Sequence, residues 1–381
     1  MGTSFPTQTL GEVVEFKNGK SIKPGGEGEY PVYGSNGVIG AVDEPREENG
    51  IILGRVGAYC GSVAYERGKF WASDNTIVAY PKESSHHVRF LAYLLGHLDL
   101  HRWAGGAAQP LLTQTVLRQI EAPVPPYPTQ RKIAAILSAY DDLIENNLRR
   151  IKILEEMAQA LYREWFVQFR FPGHEKVRMV DSPVGGIPEG WQVCTFEEVS
   201  LNFDRIRRPL SKMQRETRKG AYPYYGAAKV FDYIDDYIFD GVYLLIAEDG
   251  SVITPDRRPV LQYASGRFWA NNHTHIIQGK SPVSTEFLYF MLKDFDISGY
   301  ITGAAQPKIT QANLNRIPIL VSDQETLKKF DAIVADVQQE IILLQKKKEN
   351  LRFTRDLLLP KLISGELDVS ELDIKVPEEA V

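Results

Sequence analysis

From Thr129 to Gln168 the chain holds neither glycine nor proline, and its apolar residues recur at alternating gaps of four and three. The series is Ile133, Leu137, Tyr140 and Ile144, then Ile151, Leu154, Ala158, Leu161 and Trp165, with one polar member, Asn147. Such gaps give the 3.5-residue period of a coiled-coil seam. At 1.5 Å per residue the predicted helix is roughly 60 Å long, more than a compact domain needs for its own core. A polar Asn on a seam lowers stability and fixes register. A second stretch, 322–359, repeats the pattern with Phe330, Val334, Val337, Ile341, Leu344, Leu351 and Leu358. Each of these lies 197 residues beyond Ile133, Leu137, Tyr140, Ile144, Asn147, Leu154 and Leu161. The two stretches are copies of one element, and their seams are expected to face each other; the alternative is that each helix packs on its own globular domain. Ser322 with Glu325 reads as a capping box at the start of the second helix, and Pro360 as its end or a kink.

The copying extends beyond the helices. Tyr30-Pro31-Val32-Tyr33-Gly34 returns as Tyr222-Pro223-Tyr224-Tyr225-Gly226, and Gly68-Lys69-Phe70-Trp71-Ala72 as Gly266-Arg267-Phe268-Trp269-Ala270. Gly106-Ala107-Ala108-Gln109-Pro110 returns as Gly303-Ala304-Ala305-Gln306-Pro307. The order is kept and the offset drifts only from 192 to 198, so the chain reads as a tandem duplication of a globular unit followed by a long helix. Short apolar runs such as Ile51-Ile52-Leu53 and Thr76 to Tyr80, bounded by Gly, Asn and Pro, mark the unit as mostly strand. One helix is expected at Val88 to Leu98 and its copy at Thr285 to Leu292. The fold class is α+β: two mostly-β domains in tandem, separated by two long helices pairing as an antiparallel coiled coil. The expected boundaries are 1–126 for the first domain, 127–170 for the central helix and 171–190 for a Pro/Gly-rich linker. The second domain spans 191–320, the C-terminal helix 321–363 and a tail 364–381.

Composition excludes more than it assigns. With 381 residues, 43% hydrophobic and 24% charged, the chain is globular with room for two to three domains. Cys60 and Cys194 form no disulfide framework and no metal spacing, which suits a reducing cytosol, and no apolar run approaches a membrane span. Gly19-Lys20-Ser21 resembles the end of a phosphate-binding loop, but Val14 stands where that loop needs its first Gly. Val124-Pro125-Pro126-Tyr127 resembles the Asn/Asp-Pro-Pro-Tyr motif of amino-methyltransferases, without the polar first residue that accepts a hydrogen bond from the target amine. His273 and His275 alternate on an expected strand with no carboxylate pair in view, so no metal site is expected. No catalytic residues are assigned.

The net charge of −5 disfavours nucleic-acid binding as a sum, yet the charge is uneven. The tail holds Glu371, Asp373, Glu378 and Glu379, whereas Arg205, Arg207, Arg208, Lys212, Arg215, Arg218 and Lys219 crowd a short stretch, and local potential matters more than the total. Aromatic residues follow it: Tyr222, Tyr224, Tyr225, Phe231 and Tyr233. The matched loop of the first unit is also basic, with Lys17, Asn18, Lys20, Ser21 and Lys23. Arginine reads guanine bidentately and also anchors phosphate. If the two copies read different sequences, shared residues such as Trp71 and Trp269 hold the fold or touch backbone, and the variable loops carry readout. The expected DNA-binding residues are Lys17, Asn18, Lys20, Ser21, Lys23, Ser35 and Asn36 in the first unit, and Arg205, Arg207, Arg208, Lys212, Arg215, Lys229 and Lys308 in the second.

Three further motifs carry a family resemblance: Gln130-Arg131-Lys132-Ile133-Ala134, Ile187-Pro188-Glu189-Gly190-Trp191 and Thr302 to Thr310. With the duplicated order, the chain resembles the specificity subunit of type I restriction–modification systems over nearly its whole length. It starts its first unit almost at Met1, without a preceding helical segment, a circular variation that the family shows. The resemblance implies a non-catalytic subunit with two target-recognition domains, the long helices pairing antiparallel under a pseudo-twofold. It implies double-stranded DNA with a bipartite target as ligand, and two modification subunits and restriction subunits as partners. No cofactor is expected in this chain; S-adenosylmethionine, ATP and Mg belong to those partners. A self-contained DNA methyltransferase or nuclease, or a protein-binding structural adaptor, are the competing readings.

Overall fold

The structure is a computed structural model that describes residues 5–23, 27–106, 109–303 and 305–376. Of the sequence readings above, those on Pro24 to Gly26, Ala107, Ala108, Ala304 and 377–381 (Glu378 and Glu379 among them) lie outside the described residues. The chain divides into two compact units, residues 1–147 with 347–381, and residues 148–346.

In the first unit β1 (Thr7–Thr9) leads through α1 (Leu10–Val13) into β2 (Val14–Asn18), β3 (Tyr30–Gly34), β4 (Gly37–Val42), β5 (Glu47–Gly54), β6 (Val63–Ala72) and β7 (Thr76–Pro81). Then come α2 (Val88–His97), α3 (Gln114–Gln119), β8 (Glu121–Pro123) and the first part of α4 (Tyr127–Tyr162). Six strands form one sheet in the order β2-β7-β5-β6-β3-β4, while β1 pairs with β8. All neighbours run antiparallel except β3 and β6. The apolar run Ile51-Ile52-Leu53 is buried because β5 is central and covered on both faces. Ile51 and Leu53 join the main core with Phe90, Leu91, Leu94 and Leu95 of α2. Ile52 points to the other face with Phe70, Ala72 and Val78, the period-two alternation of a strand.

The second unit takes the rest of α4, a wider π turn at Arg163–Val167, and then repeats the architecture. After β9 (Met179–Ser182) and β10 (Gly185–Pro188), β11 (Gln192–Thr195) leads through α5 (Phe196–Val199) to β12 (Ser200–Asn202). Next come α6 (Lys212–Glu216), β13 (Lys219–Tyr225), β14 (Val230–Ile234), β15 (Phe239–Ala247), β16 (Leu261–Ala270) and β17 (Thr274–Gly279). The unit closes with α7 (Thr285–Asp294), α8 (Gln311–Asn315), β18 (Pro318–Val321) and α9 (Gln324–Ser364), whose last part belongs to the first unit. The sheet order, β12-β17-β15-β16-β13-β14, is that of the first unit strand for strand, and β11–β18 repeats β1–β8. Even the single parallel pair recurs: Tyr224 lies beside Trp269 as Val32 lies beside Trp71. The fold class read from the sequence therefore stands: two tandem mostly-β domains with two long helices.

The helices combine both packing readings. Ile133 and Leu137 are buried in the first unit's core, and Phe330 and Val334 in the second unit's; these seam positions pack on globular domains. Between helices, Ile151 and Leu154 meet Val337, Ile341 and Leu344 in a separate cluster of the second unit. There Arg150 donates to Glu340 at 2.7 Å. Tyr162 meets Phe330 in the same unit, so rising numbers on α4 meet falling numbers on α9 there, as in an antiparallel pair, and within the first unit Arg355 donates to Asp141 at 2.7 Å. Ile144 and Asn147 are buried, while Tyr140, Leu161, Leu351 and Leu358 are half-buried.

Several local expectations need correction. The capping residue of α9 is Asp323, not Ser322: its carboxylate accepts from Thr326 N at 2.9 Å and Thr326 Oγ1 at 2.7 Å, leaving Ser322 one residue too early. Pro360 does not end α9, which runs on to Ser364. Leu362 and Ile363 are buried in the first unit's core, and that packing holds the last turn past the missing N–H. The segment 171–190 is more than a linker, because β9 and β10 form a hairpin. Phe171, Ile187 and Trp191 are buried in the second unit's core, Phe171 against Trp191 and Trp191 against Phe166 of the π turn, so apolar anchors override the Pro/Gly content.

Candidate nucleic-acid interface

The variable loops of each unit meet at one end of its sheet, and shared residues hold them there. In the first unit the Trp71 indole N–H donates to Lys20 O at 3.0 Å. Lys20 N donates to Ala72 O at 2.9 Å. The chain approaches so closely that a Cβ on Gly19 would lie 1.9 Å from Ser73 O, so only glycine fits. In the second unit the Trp269 indole donates to Arg208 O at 2.6 Å. The duplicated Trp thus pins the same basic loop in both copies through the backbone, leaving loop side chains free to differ.

Around Trp71, Lys20, Ser21 and Lys23 are exposed. Lys17, also exposed on β2, lies 3.5 Å from Glu15 and over the Tyr80 ring. Asn18 accepts from Gln114 Nε2 at 3.0 Å. Ser35 is committed to structure: its hydroxyl donates to Asn75 O at 2.7 Å and accepts from Val56 N at 3.4 Å. Asn36 beside it is exposed.

The second unit separates the basic residues into two kinds. Arg205, Arg208 and Lys229 are exposed; Lys212 is exposed too, with only a 3.8 Å pair to Glu216. Arg207 and Arg215, which sequence reading placed among the DNA contacts, are turned inward. Arg207 donates to Glu248 at 2.8 Å, to Thr274 O at 2.6 Å and to Asp204 O at 3.0 Å, with its side chain only 14% exposed. Arg215 donates to Asp232 at 3.1 Å and Leu210 O at 2.6 Å and lies over Tyr224 and Phe231. Their donors are spent on the protein, so these two brace the loop. Lys308 pairs with Glu248 at 3.0 Å while staying 45% exposed.

Arg207 belongs to a cluster that sequence reading missed. His275 is 2% exposed; one ring nitrogen faces Asp204 at 2.6 Å and the other Ile309 O at 2.9 Å. Asp204, Glu248 and His275 bring their ligand-type atoms within 4.8 Å of one another, so a carboxylate pair does stand beside His275, contrary to the expectation. It comes from residues 71 and 27 positions earlier, where spacing gives no signal. The arrangement is an ion-pair network, because Arg207 and Lys308 already supply the positive charge that a metal would bring. Burial pushes both carboxyls up, but His275 and Arg207 at Asp204, and Arg207 and Lys308 at Glu248, hold them below the ordinary carboxylate range. His273 pairs instead with Asp249 at 2.8 Å.

The sequence profile described as "Type I restriction modification DNA specificity domain" matches residues 5–156 and 188–352. The type I restriction enzyme MjaIX specificity subunit of Methanocaldococcus jannaschii is 28% identical over 291 residues, 71% of this chain and 66% of that protein. A putative type I restriction enzyme specificity subunit of Haemophilus influenzae is 36% identical over 144 residues, 37% of this chain and 36% of that one. The chain therefore spans just under two thirds of the first relative and about a third of the second. The crystal structure of the type I restriction–modification S subunit from M. genitalium shares the fold, with TM-score 0.66 at 17% identity, over 94% of this chain and 96% of that one. Among the described residues, no helix is long and apolar enough to cross a membrane.

Proposed function

This chain belongs to the type I restriction–modification DNA specificity family, and on that premise we propose that it is the non-catalytic subunit that reads a bipartite duplex target, one half per unit. The observation that supports this most is the divergence of two loop ends on one duplicated scaffold. Anchors such as Trp71 and Trp269 recur and bind backbone, whereas the exposed loop side chains differ: Lys20, Ser21, Lys23 and Asn36 in one unit, Arg205, Arg208, Lys212 and Lys229 in the other. Exposed basic residues on a held loop suit phosphate anchoring and base-edge readout. Two modification subunits and the restriction subunits are proposed to dock on the helices, where Leu143, Ile153, Met157, Phe353 and Leu357 are apolar and exposed. S-adenosylmethionine, ATP and Mg would act in those partners.

Selection of duplexes from a randomised pool by the full chain tests this reading. The bound fraction is expected to carry two short specific blocks around a gap of constant length. Affinity is expected to fall linearly on logarithmic axes with salt, as counterion release requires. Binding without sequence preference, or none at all, would favour the protein-binding adaptor instead.

The helices are proposed to set the gap. Four residues inserted after Asn147 and four after Lys346, where the two compact units meet in sequence, add about 6 Å to each helix. A four-residue insertion is a stutter that local unwinding absorbs. The selected gap is expected to lengthen by one or two base pairs with both blocks unchanged. An unaltered gap at full affinity means that the spacing is set elsewhere.

A further inference from the structure

The loop end of the first unit carries an arginine that no described residue answers. Arg55 follows directly on β5, and its backbone is held from both sides: its N–H donates to Asn75 O, and its carbonyl accepts from Leu112 N, both at 2.9 Å. Its Nε is buried without a hydrogen-bond partner, and its guanidinium forms no ion pair among the described residues. Ser73, two positions before Asn75 and only 3% exposed, has a buried hydroxyl that is also unpartnered. A buried donor with no acceptor has lost its water and gained nothing in return, and folded proteins keep few such groups.

The second unit shows what this place looks like when it is closed. Glu248 N donates to His273 O and Glu248 O accepts from Ile309 N, both at 2.9 Å, the same two bonds that hold Arg55. Two residues on, Gly57 N donates to Pro110 O as Gly250 N donates to Pro307 O. Arg55 and Glu248 are thus one position in the two copies, with opposite charge. Glu248 is met by Arg207 and Lys308. In the first unit Leu111 stands where Lys308 does, bridged to Gly105 as Lys308 is to Thr302. Ile77 stands opposite Leu53 as His275 stands opposite Ile246. Gly19, just before the residue that Trp71 pins, replaces Arg207. The first unit thus has an arginine where the second has a carboxylate, and none of the three residues Arg207, Lys308 and His275 is reproduced.

We infer that Arg55 is a specificity-determining residue of the first half-site, donating to the paired acceptors of a guanine edge in the major groove. The inference rests on the DNA-reading function proposed above. The ligand must offer acceptors to a planar fork of donors, which a guanine O6/N7 edge and a phosphate both do. Guanine is favoured because Arg55 is half-buried and held by backbone on two sides, whereas the exposed Lys17, Lys20 and Lys23 are the groups suited to a mobile, hydrated backbone. Ser35, whose hydroxyl accepts from the N–H of the next residue, Val56, at 3.4 Å, ties this arginine to the loop set already described.

The test uses the full chain, its Arg55→Ala and Arg55→Lys variants, and selection from a randomised duplex pool, with thermal unfolding of each variant. Arg55→Ala is expected to lose its preference at one G·C position of the first block by roughly 5- to 150-fold. All other positions should stay intact, and the unfolding midpoint should be no lower than wild type. Arg55→Lys is expected to keep a weakened preference at that position. Unchanged selectivity in Arg55→Ala overturns the inference. So does a uniform loss across all sequences with a shallower salt slope, the signature of a phosphate contact, and so does a lowered midpoint, the signature of a structural role. A wild-type chain that selects no sequence overturns the DNA-reading function itself, and the Arg55 inference with it.

Discussion

Arg207→Ala is expected to destabilise the second unit by about 3–5 kcal/mol, the usual result of removing one partner from a buried charge network. For a unit of this size that lowers Tm by roughly 6–20 °C. The guanidinium lies between two carboxylates, Glu248 at 2.8 Å and Asp204 at 3.4 Å, and also accounts for the carbonyl of Thr274. Removing it leaves two partly buried carboxylates with one cation, Lys308, beside His275 and the Ile276 N–H and Asn202 amide that donate to Asp204. The network has a pH signature. Asp204 and Glu248 are held below their ordinary values in the folded protein, so their contribution is fully present above about pH 4–5. It is lost as pH falls through the lowered values, because the unfolded chain then binds more protons. Thermal unfolding followed at neutral pH, and again in acid, should show the Arg207→Ala deficit shrinking as the carboxyls protonate. Arg205→Ala and Arg208→Ala, whose side chains are exposed, should unfold within about 0.5 kcal/mol of wild type. An Arg207→Ala protein that melts with the wild type would mean that the network contributes nothing.

These three arginines show where sequence reading runs out. Arg205, Arg207 and Arg208 stand within four positions of one another in a basic run, and nothing in the run tells them apart. Their roles are set by Glu248 and Thr274, which only the sheet brings to Arg207. The same holds for the carboxylate pair at His275: Asp204, Glu248 and the histidine lie on three separate segments. Repeats and periodicity were legible because they are properties of the chain itself: the 197-residue offset foretold two copies of one mostly-strand unit, and the alternation of four and three foretold the long helices. Mixed signals were harder. The stretch 171–190 is rich in Gly and Pro, yet Phe171 and Ile187 tie it to a core. Asp323 and Ser322 are equally good caps on paper, and only the observed start of α9 decides between them. Arg55 left one trace in the sequence, a charge reversal against Glu248 at matched places in the repeat, visible only once the copies are aligned position by position.

Exchanging one recognition domain is expected to change one half of the target, because each unit is proposed to read its own half. The transplanted segment has to be the whole second domain, residues 191–320, from a relative of different specificity. A shorter graft of the loop 201–228 would carry Asp204 and Arg207 away from Glu248, His275 and Lys308 and break the network that braces it. The domain graft keeps α4 and α9, and it leaves the first unit, with Lys20, Asn36 and Arg55, untouched. The decisive measurement is the map of methylated bases in a host expressing the chimera with the proposed modification subunits, set beside the map for the wild-type chain. One block of the target is expected to be replaced by the donor's while the other block stays as it was. A change in both blocks, or an unchanged target in both, would contradict that expectation.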